Sequence, residues 1–389
     1  METVPSPPAR ADRSLPPVVA AVLRTAALLA LLYVFLFAIA LMGAAFKAFG
    51  KDLSQALITT TSHPVVGLMI GLLATSLIQS SSSTTSIVVG MVAAGALTVR
   101  GAIPIVMGAN MGTTITNTIV AMASLNRRAE FRRAFAGATM HDFFNLITIL
   151  VLFPLEQATH YLERTAGWLS SHLVDAQGLE YHSPVKAAVK PLTHAVKHLL
   201  LDRWHLPAGA GATVMLVLSL VCLFAALALL TRLMRGVVVR RAEGVLGRGV
   251  AGSGLLGMAV GVVVTVLVQS SSITTSLLVP LIGAGVMELE PAFAITLGAN
   301  IGTTVTALLA SLAGNLAAVT VALVHLLFNI TGILLVYPVP RIRRVPLRLA
   351  RRLALQTARN RWMALYYVGG VFFGMPLLFV LVSRLLRAG

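Results

Sequence analysis

Two eight-residue polar phrases stand inside otherwise apolar sequence, QSSSSTTS at 79–86 and QSSSITTS at 269–276. Each is followed, 29 residues after its glutamine, by a second shared phrase, GANMGTTIT (108–116) and GANIGTTVT (298–306), so one 190-residue offset relates both pairs. At bilayer depth a hydroxyl or amide without a partner costs roughly several kcal/mol. A run of seven hydroxyls, Ser80 to Ser86, with a near copy further on, therefore marks a site. The chemistry expected of it is that of a small anion carried with a cation. Where a helix breaks, the freed backbone N–H groups of the new N-terminus attract an anion, and serine hydroxyls add rotatable donors. Ser80, Ser81 and Ser82, with Ser270, Ser271 and Ser272, are expected to form that cradle, and Gln79, Gln269, Asn110 and Asn300 to lend amide groups to it. Freed carbonyls and side-chain oxygens make a hard shell suited to sodium. Gln79, Gln269, Asn110, Asn300, Thr113, Thr116, Thr303 and Thr306 are the candidates for that shell. A single membrane Ser or Thr usually bonds back to its own helix or ties helices together; a duplicated run asks for more.

The elements that must position these residues are membrane helices. Hydrophobic residues make up 57% of the 389 and charged residues 11%, with apolar runs long enough to span recurring along the chain. The expected fold is an all-α polytopic membrane protein of two inverted-topology repeats with re-entrant or broken helices. The net charge of +17 does not point to nucleic acid, because the basic residues sit in short stretches between apolar runs, without interleaved aromatics. Cys222, the one cysteine, lies in an apolar run, so no intramolecular disulfide exists. The divisions expected are an N-terminal tail (1–17), a first membrane helix and loop (18–61) read as retained rather than cleaved, and repeat one (62–155). An external segment, a membrane helix and a basic cytoplasmic loop follow (156–249), then repeat two (250–340), then a basic cytoplasmic loop and a last membrane helix (341–389).

Charge orients the repeats. Arg127, Arg128, Arg132 and Arg133 follow the first GANMGTT phrase, Arg232, Arg235, Arg240, Arg241 and Arg248 precede repeat two, and eight arginines lie in 341–361. All three stretches are expected to be cytoplasmic. The stretch after the second GANIGTT phrase, around Ala313 to Asn315, is uncharged, so the two repeats are expected upside down relative to each other. The polar stretch 156–208 then falls outside; of its His160, His172, His182, His194, His198 and His205, His194 and His198 are four apart and could form a chance ligand pair, but no carboxylate at helical spacing accompanies them, and VKAAVKPLTHAVKHLL reads rather as a solvated amphipathic helix interrupted at Pro191.

Asp142 is the acidic residue set within an apolar membrane run, and the matching position of repeat two is Leu326. Intramembrane carboxylates are costly and face a partner or an ion path. An ion-path role is favoured here over a pairing with a nearby arginine such as Arg133. His141 and His325 occupy matching places, four residues before Asn145 and Asn329, and read as core residues rather than ligands.

The doubled QSSS, the doubled GAN(M/I)GTT, EFRRAFAGATMHDFFN (130–145) and HLLFNITGILLVYPVP (325–340) resemble the type II sodium-dependent phosphate cotransporters across most of 62–365. The resemblance implies import of inorganic phosphate driven by sodium, with the substrate between the two QSSS segments and alternating access at the bilayer midplane. It implies one sodium site at Gln269, Ser270, Thr303 and Thr306, a carboxylate of another at Asp142, and Asn145 as the surviving member of a third. At that third site Ser124, Arg127 and Ala299 replace a Gln, an Asp and a Ser of fully equipped members. The family's large disulfide-closed, glycosylated external loop and a further span after 363–383 have no counterpart, which implies a compact prokaryotic member in a bacterial inner membrane. Asn329-Ile330-Thr331 has the form of a glycosylation sequon but lies in an apolar segment, where no modification is expected. No cofactor is implied beyond sodium as the cotransported ion, and no catalytic residue. A carrier of another oxyanion, arsenate or sulfate, would use the same groups. A lipid phosphatase would need an activated nucleophile or base, and no Glu/Asp cluster accompanies the serines.

Overall fold

The computed structural model describes residues 16–61, 63–175, 184–248 and 253–388. Most of the expected 1–17 tail and His182 lie outside the described residues, as do the side chains of Arg235, Arg240, Arg241 and Arg248. Among the described residues every regular element is helical. The chain opens with α1 (Pro17–Phe49) and α2 (Lys51–Thr61). A first unit comprises α3 (Pro64–Ile78), α4 (Ser81–Ala93), α5 (Val99–Gly112), α6 (Ile115–Met122) and α7 (Arg128–Thr159). Then come α8 (Tyr161–Asp175), α9 (Pro184–His198) with a π-helical turn at Leu199–Arg203, and α10 (Ala208–Arg248). The second unit comprises α11 (Gly254–Val268), α12 (Ser271–Ala284), α13 (Leu289–Ser311) and α14 (Leu316–Val336). The chain closes with α15 (Pro340–Arg359), α16 (Trp362–Tyr367), a π-helical stretch at Val368–Gly374, and α17 (Met375–Ala388). Among the described residues six helical stretches are long and apolar enough to cross a membrane: Val18–Phe49, Arg128–Thr159, Ala208–Met234, Leu289–Ser311, Leu316–Val336 and Trp362–Leu386. The protein is an all-α polytopic membrane protein.

The two units are built alike. α3 and α4 are separated by Gln79 in the left-handed region (φ 58°) and Ser80 in extended conformation; α11 and α12 by Gln269 (φ 56°) and Ser270. In both, a threonine before the break donates to one after it, Thr75 to Thr84 and Thr265 to Thr274, at 2.9 Å. α3 packs on α5 backbone to backbone: a Cβ at Gly71 would overlap the Ile105 carbonyl, and at Gly261 the Ile295 carbonyl. Close approach of this kind is what small residues permit between membrane helices. One break is not shared. Unit one interrupts its helix at Thr113–Thr114, between α5 and α6, where α13 of unit two runs on unbroken.

Two hydrogen bonds fix the mutual direction of the units. Asn315, just beyond α13, donates to the Ala93 carbonyl at the end of α4, and Arg133, near the start of α7, donates to the Gly283 carbonyl near the end of α12, at the matching place in unit two. α13 has 23 residues and is thus about 34 Å long, so these two contacts lie at opposite ends of the molecule's helical layer. α5 and α6 lead from the Ala93 end to the Arg133 end, whereas α13 leads from the Gly283 turn to Asn315. Between these two contacts α5–α6 and α13 therefore run in opposite directions.

Three expectations are corrected. The basic stretch after residue 231 continues α10 as helix to Arg248, since 208–248 contains no proline and is rich in helix formers. The basic stretch 341–361 is mostly the helix α15, begun by Pro340 at its first position, with Pro346, Leu347, Ala350 and Ala354 turned inward. Pro191 does not interrupt α9; it lies on an exposed face, where water can satisfy the carbonyl its ring leaves unpaired.

Candidate functional site

The two breaks meet. Ser272 Oγ donates to the Gln79 carbonyl at 3.5 Å, bringing the two QSSS segments together across 193 positions of sequence. Ser80 caps its own helix, its Oγ accepting the Ser83 N–H at 3.2 Å and the Ser83 hydroxyl at 2.9 Å, and Ser270 Oγ likewise accepts the Ile273 N–H at 3.4 Å. That capping leaves the first N–H groups, those of Ser81 and Ser82 and of Ser271 and Ser272, at the mouths of two helices. Ser81, Ser82 and Ser271 are buried, Ser272 is half-buried and Gln79 is exposed. Two helix N-termini lined with hydroxyls and converging on one point can hold a small multivalent anion.

The sodium candidates are unevenly placed. Gln269 Oε1 accepts from Thr306 Oγ1 at 3.0 Å, and its Nε2 donates to the Val266 carbonyl at 2.7 Å, so the amide oxygen is aimed at α13. Thr303 bonds back to Ala299 and Thr113 to Ala109, the ordinary use of a helical threonine. Thr116, the counterpart of Thr306, is left with a buried hydroxyl that has no partner among the described residues.

Asn110 and Asn300 join a polar layer shared by the two units. Asn145 Nδ2 donates to the Asn110 carbonyl at 2.9 Å, and Asn329 Nδ2 to the Asn300 carbonyl at 3.3 Å, one pattern in both units. The units are then tied by Asn300 Nδ2 to Asn145 Oδ1 at 3.5 Å and by His325 Nε2 with Asn110 Oδ1 at 3.2 Å. His141 and His325 are fully buried. Asp142, one turn from Asn145 on α7, is 1% exposed; its Oδ2 accepts the Tyr367 hydroxyl at 2.6 Å, Thr114 stands close by, and its Oδ1 has no hydrogen bond. Arg133 is not its partner, being engaged with Gly283. Ser124 and Arg127 both bind Glu130, at 2.9 and 2.6 Å, with the Arg127 side chain 75% exposed at the turn into α7.

Three contributors escape sequence reasoning. Tyr367 belongs to neither repeat. Asn117 on α6 accepts from Thr275 and Ser276 at 3.0 and 3.2 Å, and its counterpart is Ala307, a difference visible in the sequence but not informative there. Glu156 is a second buried carboxylate on α7; it accepts the backbone N–H groups of Leu162 and Glu163 and so caps α8, which accounts for its closeness to His160 and Glu163.

The Na+/Pi-cotransporter family model matches residues 34–163 and 222–380, taking in both breaks, the polar layer and Tyr367. This chain belongs to that family. It is 37% identical over 440 residues to sodium-dependent phosphate transport protein 2B of Homo sapiens and, to the same degree, of Pongo abelii, covering 90% of this chain and 64% of theirs. It is 36% identical over 442 residues to sodium-dependent phosphate transport protein 2A of Rattus norvegicus, covering 95% of this chain and 69% of that one. The chain thus spans 64% of the length of its 2B relatives. No solved structure matches it.

Proposed function

We propose that this protein is a secondary active transporter of the cell membrane that imports inorganic phosphate with sodium, by alternating access around a site between Gln79–Ser82 and Gln269–Ser272. The observation that carries the reading is the meeting of two broken helices at the Ser272 to Gln79 contact, with serine-lined N-termini on both sides. The relatives' names supply phosphate and sodium as cargo. In this reading 62–155 and 250–340 are inverted transport units, a view supported by the opposite directions of α5–α6 and α13. The remaining segments, 18–61, 156–249 and 341–389, brace them within the bilayer. Phosphate sits on the Ser81, Ser82, Ser271 and Ser272 hydroxyls and N–H groups, with the Gln79 and Gln269 amides beside it. One sodium takes the oxygens of Gln269, Thr303 and Thr306 together with the freed carbonyls of the break, and a second takes Asp142. Asn110, Asn145, Asn300 and His325 link the two units, so that sodium or phosphate bound in one unit biases the position of the other.

The test is uptake of radiolabelled phosphate into proteoliposomes holding the full chain, under an imposed inward sodium gradient. Uptake should collapse when potassium or choline replaces sodium at matched membrane potential. Equal uptake in all three would overturn the coupling. Competition by arsenate and sulfate in the same assay decides the anion: hydroxyl and N–H donors fit any tetrahedral oxyanion, and stronger competition by sulfate than by phosphate itself would reassign the cargo.

A further inference from the structure

Asp142 is coordinated by a residue outside both transport units. Tyr367 closes α16, where the chain passes into the π-helical stretch Val368–Gly374, and its hydroxyl donates to Asp142 Oδ2 at 2.6 Å. The phenol ring is held from two sides, by Phe135 at 6.3 Å and Phe372 at 5.9 Å between centroids, both edge-on. Phe372 is itself fully buried and belongs to the wide turn that follows. Widened π turns inside helices recur at functional sites, and here the turn brings a second aromatic against the phenol.

The carboxylate is left half-satisfied. Oδ1 is buried without a hydrogen bond, so the carboxylate has the Tyr367 hydroxyl on Oδ2, Thr114 beside it, and no ion-pair partner among the described residues. Such a group is costly unless its other oxygen takes a cation. Its counterpart in unit two is Leu326, so neither the carboxylate nor its tyrosine belongs to the duplicated frame. An outer hydrogen bond of this kind orients a ligating carboxylate and fixes which oxygen faces the ion.

We propose that Tyr367 is a positioning residue for cation binding at Asp142, holding Oδ2 so that Oδ1 is presented to sodium. The inference rests on the sodium-coupled reading above. It also makes the last helix, which stands outside both units, a participant in ion binding rather than a brace. Through α17, which packs on α3, the same segment touches the helix that leads into Gln79, so ordering at Asp142 and ordering at the first serine break share one neighbour.

The experiment compares wild type, Tyr367→Phe and Tyr366→Phe, purified as full chains, by the rise in melting temperature with sodium and by sodium-activated phosphate uptake. Tyr366 is 72% exposed and serves as the neighbouring hydroxyl. Tyr367→Phe should raise the half-saturating sodium concentration about tenfold, the low end of what losing an outer partner of a metal ligand costs, and change the ratio of lithium to sodium activation. Tyr366→Phe should change neither. In an Asp142→Asn background Tyr367→Phe should have no further effect, since the two residues act as one. An unchanged sodium dependence in Tyr367→Phe, or a tenfold loss that persists without Asp142, would overturn the inference. A wild type that neither melts higher nor transports faster with sodium would instead overturn the sodium-coupled reading on which it rests. If Tyr367→Phe does not fold, 3-fluorotyrosine at 367 keeps ring and hydroxyl, and its fluorine resonance should shift as sodium is titrated. A resonance that stays fixed through the range in which sodium stabilises the protein would again overturn it.

Discussion

Unit one and unit two share a frame and divide the chemistry. Both bend at a left-handed glutamine, both clasp the bend with a threonine pair at 2.9 Å, and both pack the helix before the bend against a glycine-lined neighbour. The polar groups around that frame do not match. Gln269 is locked to Thr306, while Gln79 is exposed and Thr116 unpartnered. Thr275 and Ser276 are satisfied by Asn117, whose counterpart is Ala307, while their own counterparts Thr85 and Ser86 have no partner among the described residues. Asp142 answers to Leu326. A frame that must let two backbones approach tolerates little change, whereas a buried ion site needs its oxygens only once. In the function proposed above, unit two would hold the finished cation site at its bend and unit one would supply the carboxylate.

The sharpest way to break this division is to truncate the two glutamines. Gln269→Ala should raise the half-saturating sodium concentration for phosphate uptake by tenfold or more, since it removes one of few oxygens from a hard-ion shell. Gln79→Ala should act chiefly on the half-saturating phosphate concentration, and Gln157→Ala, exposed at the end of α7, on neither. Equal sodium losses for Gln79 and Gln269 would make the site symmetric after all.

A smaller effect separates the hydroxyl pairs, and here the sign itself differs between units. Thr275→Val with Ser276→Ala strands the buried Asn117 oxygen, at a cost of about 1–3 kcal/mol. Thr85→Val with Ser86→Ala removes two groups that already lack partners, so it should be neutral or slightly stabilising. Thermal or denaturant unfolding of the purified variants measures both; destabilisation of equal size would mean that Thr85 and Ser86 are satisfied in the membrane by something that takes the place of Asn117.

The bends and most spanning helices were legible because a repeated polar phrase in apolar sequence has few explanations, and because span length is set by bilayer thickness. The conformation of the charged stretches was not legible. Arginine reads as a loop marker between apolar runs and is also a good helix former, so the stretches at 232–248 and 341–359 are helix. Asn110 and Asn300 follow the serines in sequence, yet their hydrogen bonds run to Asn145, His325 and Asn329, because position along a helix does not state which face a residue occupies. Tyr367 carries neither a repeat partner nor a phrase, and only the packing of α16 against α7 through Phe135 reveals it.

The smallest expected signal is a current near zero. Of the third sodium site the resemblance describes, Ser124, Arg127 and Ala299 occupy three positions, and the structure engages the first two elsewhere: both bind Glu130 at the exposed turn before α7, and Ala299 is fully buried in α13. In the function proposed above two cation sites then remain, at Gln269 with Thr306 and at Asp142. Two sodium ions balance one divalent phosphate, so transport should move little net charge. The alternative is that the Arg127 guanidinium stands in for the missing ion; its 2.6 Å pairing with Glu130 and its 75% side-chain exposure argue that it stays outside the transport path. An uncompensated charge crossing the membrane would couple at about 2.3 kcal/mol per 100 mV, enough to make uptake steeply voltage-dependent. Uptake into proteoliposomes clamped by potassium and valinomycin should therefore change little between zero and about 100 mV of inside-negative potential. A sustained inward current on adding phosphate in sodium, growing with hyperpolarisation, would show that unit one supplies a further cation site and that the division between the units is less complete than their hydrogen bonds indicate.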